Sequence, residues 1–276
     1  MSAAALQRVV VRMLYDPALV EAVYADAGKA LAGVELSAAE RGWLTAPDRR
    51  RWRADPLRRS RGLQAVLEEF PVAGAVAARA QGLGALDGFF SAPAFHRCVQ
   101  GGGSLALAFG EWLARFGGAV AAFAALEGGV ARVRRAPARP AETPAVDRAG
   151  SWVAAPWVWG VRAPGGTLAA WTAHRARLAA HPGGVLAGLV EPGYALEKRR
   201  LVKSAPEGLL VERTGPGADA IGVAEASLGL AGLLEALRSP QPWPTVAATM
   251  RRLGAARGEE AGLAAELVGD GLLTVR

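Results

Sequence analysis

The chain of 276 residues is predicted to be α+β and mostly α. Three observations carry that expectation. Apolar residues recur at helical spacing through residues 1–135, a proline-rich stretch breaks the pattern at 136–150, and two short apolar segments around a turn-rich insert then precede three more helical stretches. The predicted organisation is a helical domain over 1–135, a linker over 136–150 and an α+β domain over 151–276. With 51% hydrophobic and 21% charged residues, both domains have enough apolar surface to bury a core.

Leu6, Val9, Val10, Met13 and Leu14 share one helix face, and Asp16-Pro17 opens the next helix. Ser37 and Glu40 fit a capping box ahead of Trp43 and Leu44. Pro47 and Pro56 punctuate a basic stretch, Arg49-Arg50-Arg51-Trp52-Arg53. A long helix is expected over 56–70, with Leu63, Val66, Leu67 and Phe70 on one face, and Pro71 starts another. Short apolar pieces (Leu86, Phe89, Phe90, Phe95, Cys98) lead to helices over 105–116 and 120–135. Glu127 lies inside the last of these. Its carboxyl end carries Arg132, Arg134 and Arg135, where the helix dipole favours cations.

The stretch 136–150 holds three prolines and little to bury. Residues 152–161 read as one strand bent at Pro156, with Trp157 and Trp159 on the same face. A helix over 167–180 is stopped by His181-Pro182-Gly183-Gly184. Segments 209–213 and 220–224 flank Thr214-Gly215-Pro216-Gly217-Ala218-Asp219, a hairpin loop. Ser227 caps a helix bearing Leu228, Leu230, Leu233, Leu234 and Leu237. Pro242 and Pro244 frame Trp243 at the start of a second, which carries Val246, Met250 and Leu253. Gly258-Glu259-Glu260 opens a third, with Leu263, Leu267 and Val268, and Asp270-Gly271 turns into a strand over 272–275. Strand, strand, three helices and a terminal strand is the winged-helix order, which serves either to read DNA or to dock a peptide strand.

Little chemistry accompanies this scaffold. Cys98 is the single cysteine, so no intrachain disulfide forms. No secretory leader or apolar run of ~20 residues stands out, and a cytoplasmic protein with no membrane contact is expected. His96, His174 and His181 fall in no metal-ligand spacing. Gly101-Gly102-Gly103-Ser104 lacks the lysine of a phosphate loop and reads as a helix start, and there is no Gly-x-Ser-x-Gly elbow. Glu68 and Glu69 diverge on a helix, while Asp87, Glu111 and Glu127 lie on separate ones. No catalytic residue, metal ligand or cofactor is therefore expected in this chain. The net charge of +7 favours an acidic peptide, nucleic acid or an acidic subunit, and the densest basic cluster joins residues 49–53 to Arg58, Arg59 and Arg61. Against nucleic acid, Glu259, Glu260 and Glu266 on the third closing helix would repel phosphate. Arg251, Arg252 and Arg257 nearby keep a DNA-binding regulator as the alternative.

The run Arg59-Ser60-Arg61-Gly62-Leu63-Gln64-Ala65-Val66-Leu67-Glu68-Glu69-Phe70-Pro71 resembles the core of a helical domain first labelled DNA-binding. Phe89-Phe90, Phe95-His96, residues 105–113, and Leu126-Glu127 before the arginines at 132–135 continue the pattern. That domain occurs in partner proteins of the multinuclear non-haem iron-dependent oxidases that modify ribosomally made peptides, of the methanobactin and thiaglutamate types. The resemblance implies a C-terminal RiPP recognition element, a winged-helix unit that takes up a leader peptide. It also implies a heterodimer in which the oxidase subunit holds the iron. On that analogy the docking strand would be Ala220, Ile221, Gly222, Val223 and Ala224, the opposing wall Leu263 and Leu267, and Arg257 would meet an acidic leader. Arg58, Arg59, Trp157 and Trp159 are the candidates for gripping the oxidase.

Overall fold

The computed structural model describes residues 3–53, 55, 57–140, 150–190, 201–215, 217 and 220–276. The first helices begin where the sequence supplies caps. After α1 (Ala3–Tyr15), the Asp16 carboxylate accepts from the Ala18 and Leu19 N–H groups at 3.0 and 3.2 Å, and Pro17 stands at the first position of α2 (Pro17–Ala25). The short α3 (Ala27–Ala30) follows, then α4 (Ala38–Thr45), which opens on the expected Ser37–Glu40 capping box. A 3-10 turn covers Arg49–Arg53. Val9, Met13, Val20, Val23, Leu31 and Leu44 close a small core of their own.

The second core belongs to α5 (Arg58–Glu69), α6 (Pro71–Gln81), α7 (Leu83–Asp87), α8 (Pro93–Gly101), α9 (Leu105–Ala114) and α10 (Gly118–Arg135). The helix expected over 56–70 thus starts at Arg58, and Pro56 lies outside the described residues. Aromatic rings meet edge-on at its centre, with Phe89 to Phe109 centroids 5.1 Å apart and Phe90 to Phe95 5.4 Å.

The single bent strand expected over 152–161 is two strands in different sheets. β1 (Trp152–Ala154) pairs antiparallel with β5 (Leu273–Val275). A turn closed by Val158 N–H to Ala155 O separates it from β2 (Val158–Gly165). That turn breaks the period of two, so Trp157 and Trp159 part company and enter different cores. β2 pairs antiparallel with β3 (Val202–Arg213), and β3 with β4 (Ile221–Ala226), in the order β2-β3-β4. β3 is much longer than the expected 209–213. It carries Pro206 opposite Pro164, next to a register shift, and such residues mask a strand in sequence. Between these strands lie α11 (Thr167–Ala179), as expected, and α12 (Gly184–Val190), which the glycine-rich sequence concealed. Residues 141–149 of the expected linker, residues 191–200, and Pro216, Ala218 and Asp219 of the hairpin loop lie outside the described residues.

The sheet has two packed faces. Val161, Leu209 and Val211 join the helical core, together with Trp171 of α11, so the apolar interior does not stop at the proline-rich stretch. On the other face, α13 (Leu228–Ala236) crosses close to the strands at Gly160, where a Cβ would stand 2.6 Å from the Ala231 carbonyl oxygen. α13, α14 (Trp243–Arg252) and α15 (Glu260–Gly269) enclose the third core with Trp152, Trp157 and Leu273. The molecule is α+β and mostly helical. No helix among the described residues is long and apolar enough to cross a membrane.

Candidate functional site

β4 ends the three-stranded sheet, and its ladder can be followed atom by atom. Thr214 N–H donates to Ala220 O at 2.8 Å, and Arg213 N–H donates to Trp157 O at 3.0 Å. Alternation along an antiparallel ladder then turns the backbone groups of Gly222 and Ala224 toward β3, and those of Ile221, Val223 and Glu225 outward. No strand pairs with that outer rim among the described residues. Ala220 sits just before β4 and serves the turn rather than the strand.

The side chains expected to form one groove are divided. Ile221 and Val223 are half-buried against the helical core, because both lie on the sheet face that also bears Val211. Leu267, buried, and Leu263, half-buried, belong to the third core. They line a cavity of about 370 Å³ with Leu230 and Leu233 of α13, Met250 of α14 and Leu253 just after it. The expected wall is present, but it faces helices rather than Ile221 and Val223. Sequence reasoning missed Leu230, Leu233, Met250 and Leu253 as partners. Apolar positions recurring on three consecutive helices were the available signal, and they read equally as plain core. The cavity begins where the rim ends, since Ser227, which lines it, directly follows the last residue of β4.

Arg257 is exposed in the turn before α15. Of the three carboxylates expected to face outward there, Glu260 is buried. It accepts from Gly258 N–H at 2.7 Å and pairs with Arg251 at 3.4 Å, leaving Glu259 and Glu266 exposed.

The four residues expected to grip a partner are engaged within the chain. Arg58 donates to Leu14 O at 3.0 Å. Arg59 donates to Asp87 O at 2.7 Å and to Ser91 Oγ at 3.3 Å while facing the Asp87 carboxylate at 2.9 Å. Both tie α5 to its neighbours. Trp157 is buried, with its Nε1–H donating to Gly271 O at 2.8 Å. Trp159 is half-buried beside Gly129, and the guanidinium groups of Arg132 and Arg238 lie 4.7 and 4.0 Å from its ring centroid. Trp159 is thereby a junction between α10 and the segment just after α13.

One buried ionisable group stands apart. Glu127, in the middle of α10, reaches the first turn of α6. Its carboxyl oxygens accept from Val72 N–H at 2.9 Å, Ala73 N–H at 3.0 Å and Trp171 Nε1–H at 3.2 Å. Burial pushes its pKa up from the ordinary 4.5 to about 7, and the three donors and the nearby Arg175 oppose that rise. It caps a helix that has no capping side chain of its own. Among the described residues, no group of three or more His, Cys, Asp or Glu converges to hold a metal ion. No protein-family model matches the chain, and comparison with curated proteins gives no match.

Proposed function

We propose that this chain is a non-catalytic partner protein that takes up the leader of a ribosomally made precursor peptide and presents it to a multinuclear non-haem iron-dependent oxidase. The two form a heterodimer, and the oxidase supplies the iron. The observation that carries this reading is the outer rim of β4. Three residues there, Ile221, Val223 and Glu225, offer backbone donors and acceptors to an added strand. The likeness of residues 59–71 to the partner-protein helical domain supplies the oxidase. We read the hairpin, α13–α15 and β5 as a winged-helix variant of the RiPP recognition type. Its element order fits, with the departure that β5 pairs with β1 instead of with the hairpin.

The binding mechanism is strand addition. Main-chain hydrogen bonds to the rim give affinity with little dependence on sequence, and contacts beyond the rim supply selectivity. Glu259, just before α15, and Glu266 on it are exposed and weigh against a nucleic-acid role for this unit. Co-expression with a multinuclear non-haem iron-dependent oxidase of this type and its precursor peptide tests the proposal. A co-purifying heterodimer and leader binding by fluorescence anisotropy are expected. A chain that elutes alone and binds no leader, yet shifts duplex DNA in a salt-dependent manner, would instead be a regulator.

A further inference from the structure

Two hollows meet at the first turn of α13. The aliphatic cavity between α13, α14 and α15 shares Gly229 and Leu253 with a second hollow of about 490 Å³, which adds Arg162, Leu228, Glu235 and Arg252. Leu228, 41% exposed, adds apolar surface to that second hollow. The charge of Arg162 is met by Glu235 at 2.7 Å, and Arg251 by Glu260 at 3.4 Å. Arg252 and Arg257 make no ion pair among the described residues, and they bracket the Leu253-Gly254-Ala255 wall of the aliphatic cavity. One continuous groove thus has an apolar end and a cationic end.

We propose that this groove takes an acidic peptide segment, seating one aliphatic side chain between the three helices and setting a neighbouring carboxylate against Arg252. The inference rests on the peptide-binding reading above and names the class of peptide. Charge complementarity selects an acidic occupant: Arg252, which makes no ion pair among the described residues, lines the second hollow in a chain of net charge +7. Continuity selects a peptide, because a strand lying along the rim of β4 arrives at Ser227 and the cavity mouth. At about 370 Å³ the cavity exceeds the ~150 Å³ that holds a benzene-sized guest. The flexible thioether of Met250 lets its wall adapt to leucine, isoleucine or methionine.

A display library of random decapeptides, selected on the full chain, tests this, with anisotropy on the most enriched peptide. The expected consensus places leucine, isoleucine or methionine beside aspartate or glutamate. Arg252→Glu and Leu263→Glu should each weaken binding about tenfold or more, and added salt should weaken it in the parent. Arg252 is exposed, so Arg252→Glu keeps the fold, which circular dichroism checks for both variants. Val223→Pro separates the two readings. Loss with Val223→Pro but not with the groove variants would overturn the groove and leave the rim. Loss with the groove variants but not with Val223→Pro would leave the groove and remove the rim. Enrichment of basic peptides, or of none, also overturns the groove.

Discussion

Replacing Glu127 with glutamine changes one buried atom and should change how stability depends on pH. The carboxyl group is 1% exposed and faces three N–H donors. Burial raises its pKa in the folded protein to about 7 from the ordinary 4.5, against the pull of those donors. A carboxyl group with a raised folded pKa is bound to its proton more tightly in the folded state. Its stabilising contribution is therefore complete below about pH 4.5 and is lost as pH rises through about 7. The span corresponds to roughly 3 kcal/mol. Glutamine cannot ionise, but its NH2 group must confront a backbone donor, at about 1–3 kcal/mol. Urea unfolding of both proteins from pH 4.5 to 8 measures the gap directly. Glu127→Gln should be the less stable at the acidic end, with the difference closing or reversing by pH 8. A gap that stays constant or widens with pH would refute the account of Glu127 as a buried acid titrating near neutrality.

Three other outcomes follow from the geometry. Val223→Pro removes an outward N–H and should abolish leader binding with cooperative unfolding retained, whereas Gly222→Pro removes a β3–β4 ladder donor and should destabilise the fold itself, by about 1–3 kcal/mol; anisotropy and thermal melts separate the two. Gly160→Ala drives a methyl to 2.6 Å from the Ala231 carbonyl oxygen, so α13 must shift, at about 1–3 kcal/mol in chemical denaturation. Trp157→Phe leaves the Gly271 carbonyl without its 2.8 Å donor in a buried site and should cost about 1–3 kcal/mol, read from the urea midpoint.

Local chemistry was legible in the chain. Asp16, Ser37, Ser104 and Ser227 start helices where the sequence places them, because each cap satisfies N–H groups only two or three residues away. The turn end of the β3–β4 hairpin and the three closing helices were equally readable, since turn residues and helical spacing act within a few residues. What the sequence hid depends on distant partners. One turn at 155–157 sends Trp157 and Trp159 into separate cores, although strand alternation alone would align them. Ile221 and Val223 were expected on a docking strand opposite Leu263 and Leu267, yet the sheet turns their side chains toward the helical core, away from that wall. Glu127 reads as one more helical carboxylate until α6 arrives from more than fifty positions away with two unpaired N–H groups. Most helices and their starts were therefore legible in the chain, because capping and periodicity are short-range, whereas α12, the break between β1 and β2 and the long first part of β3 were not. Which faces are buried, which strand rim lacks a partner among the described residues and where the arginines pair follow instead from how elements far apart in the chain pack together.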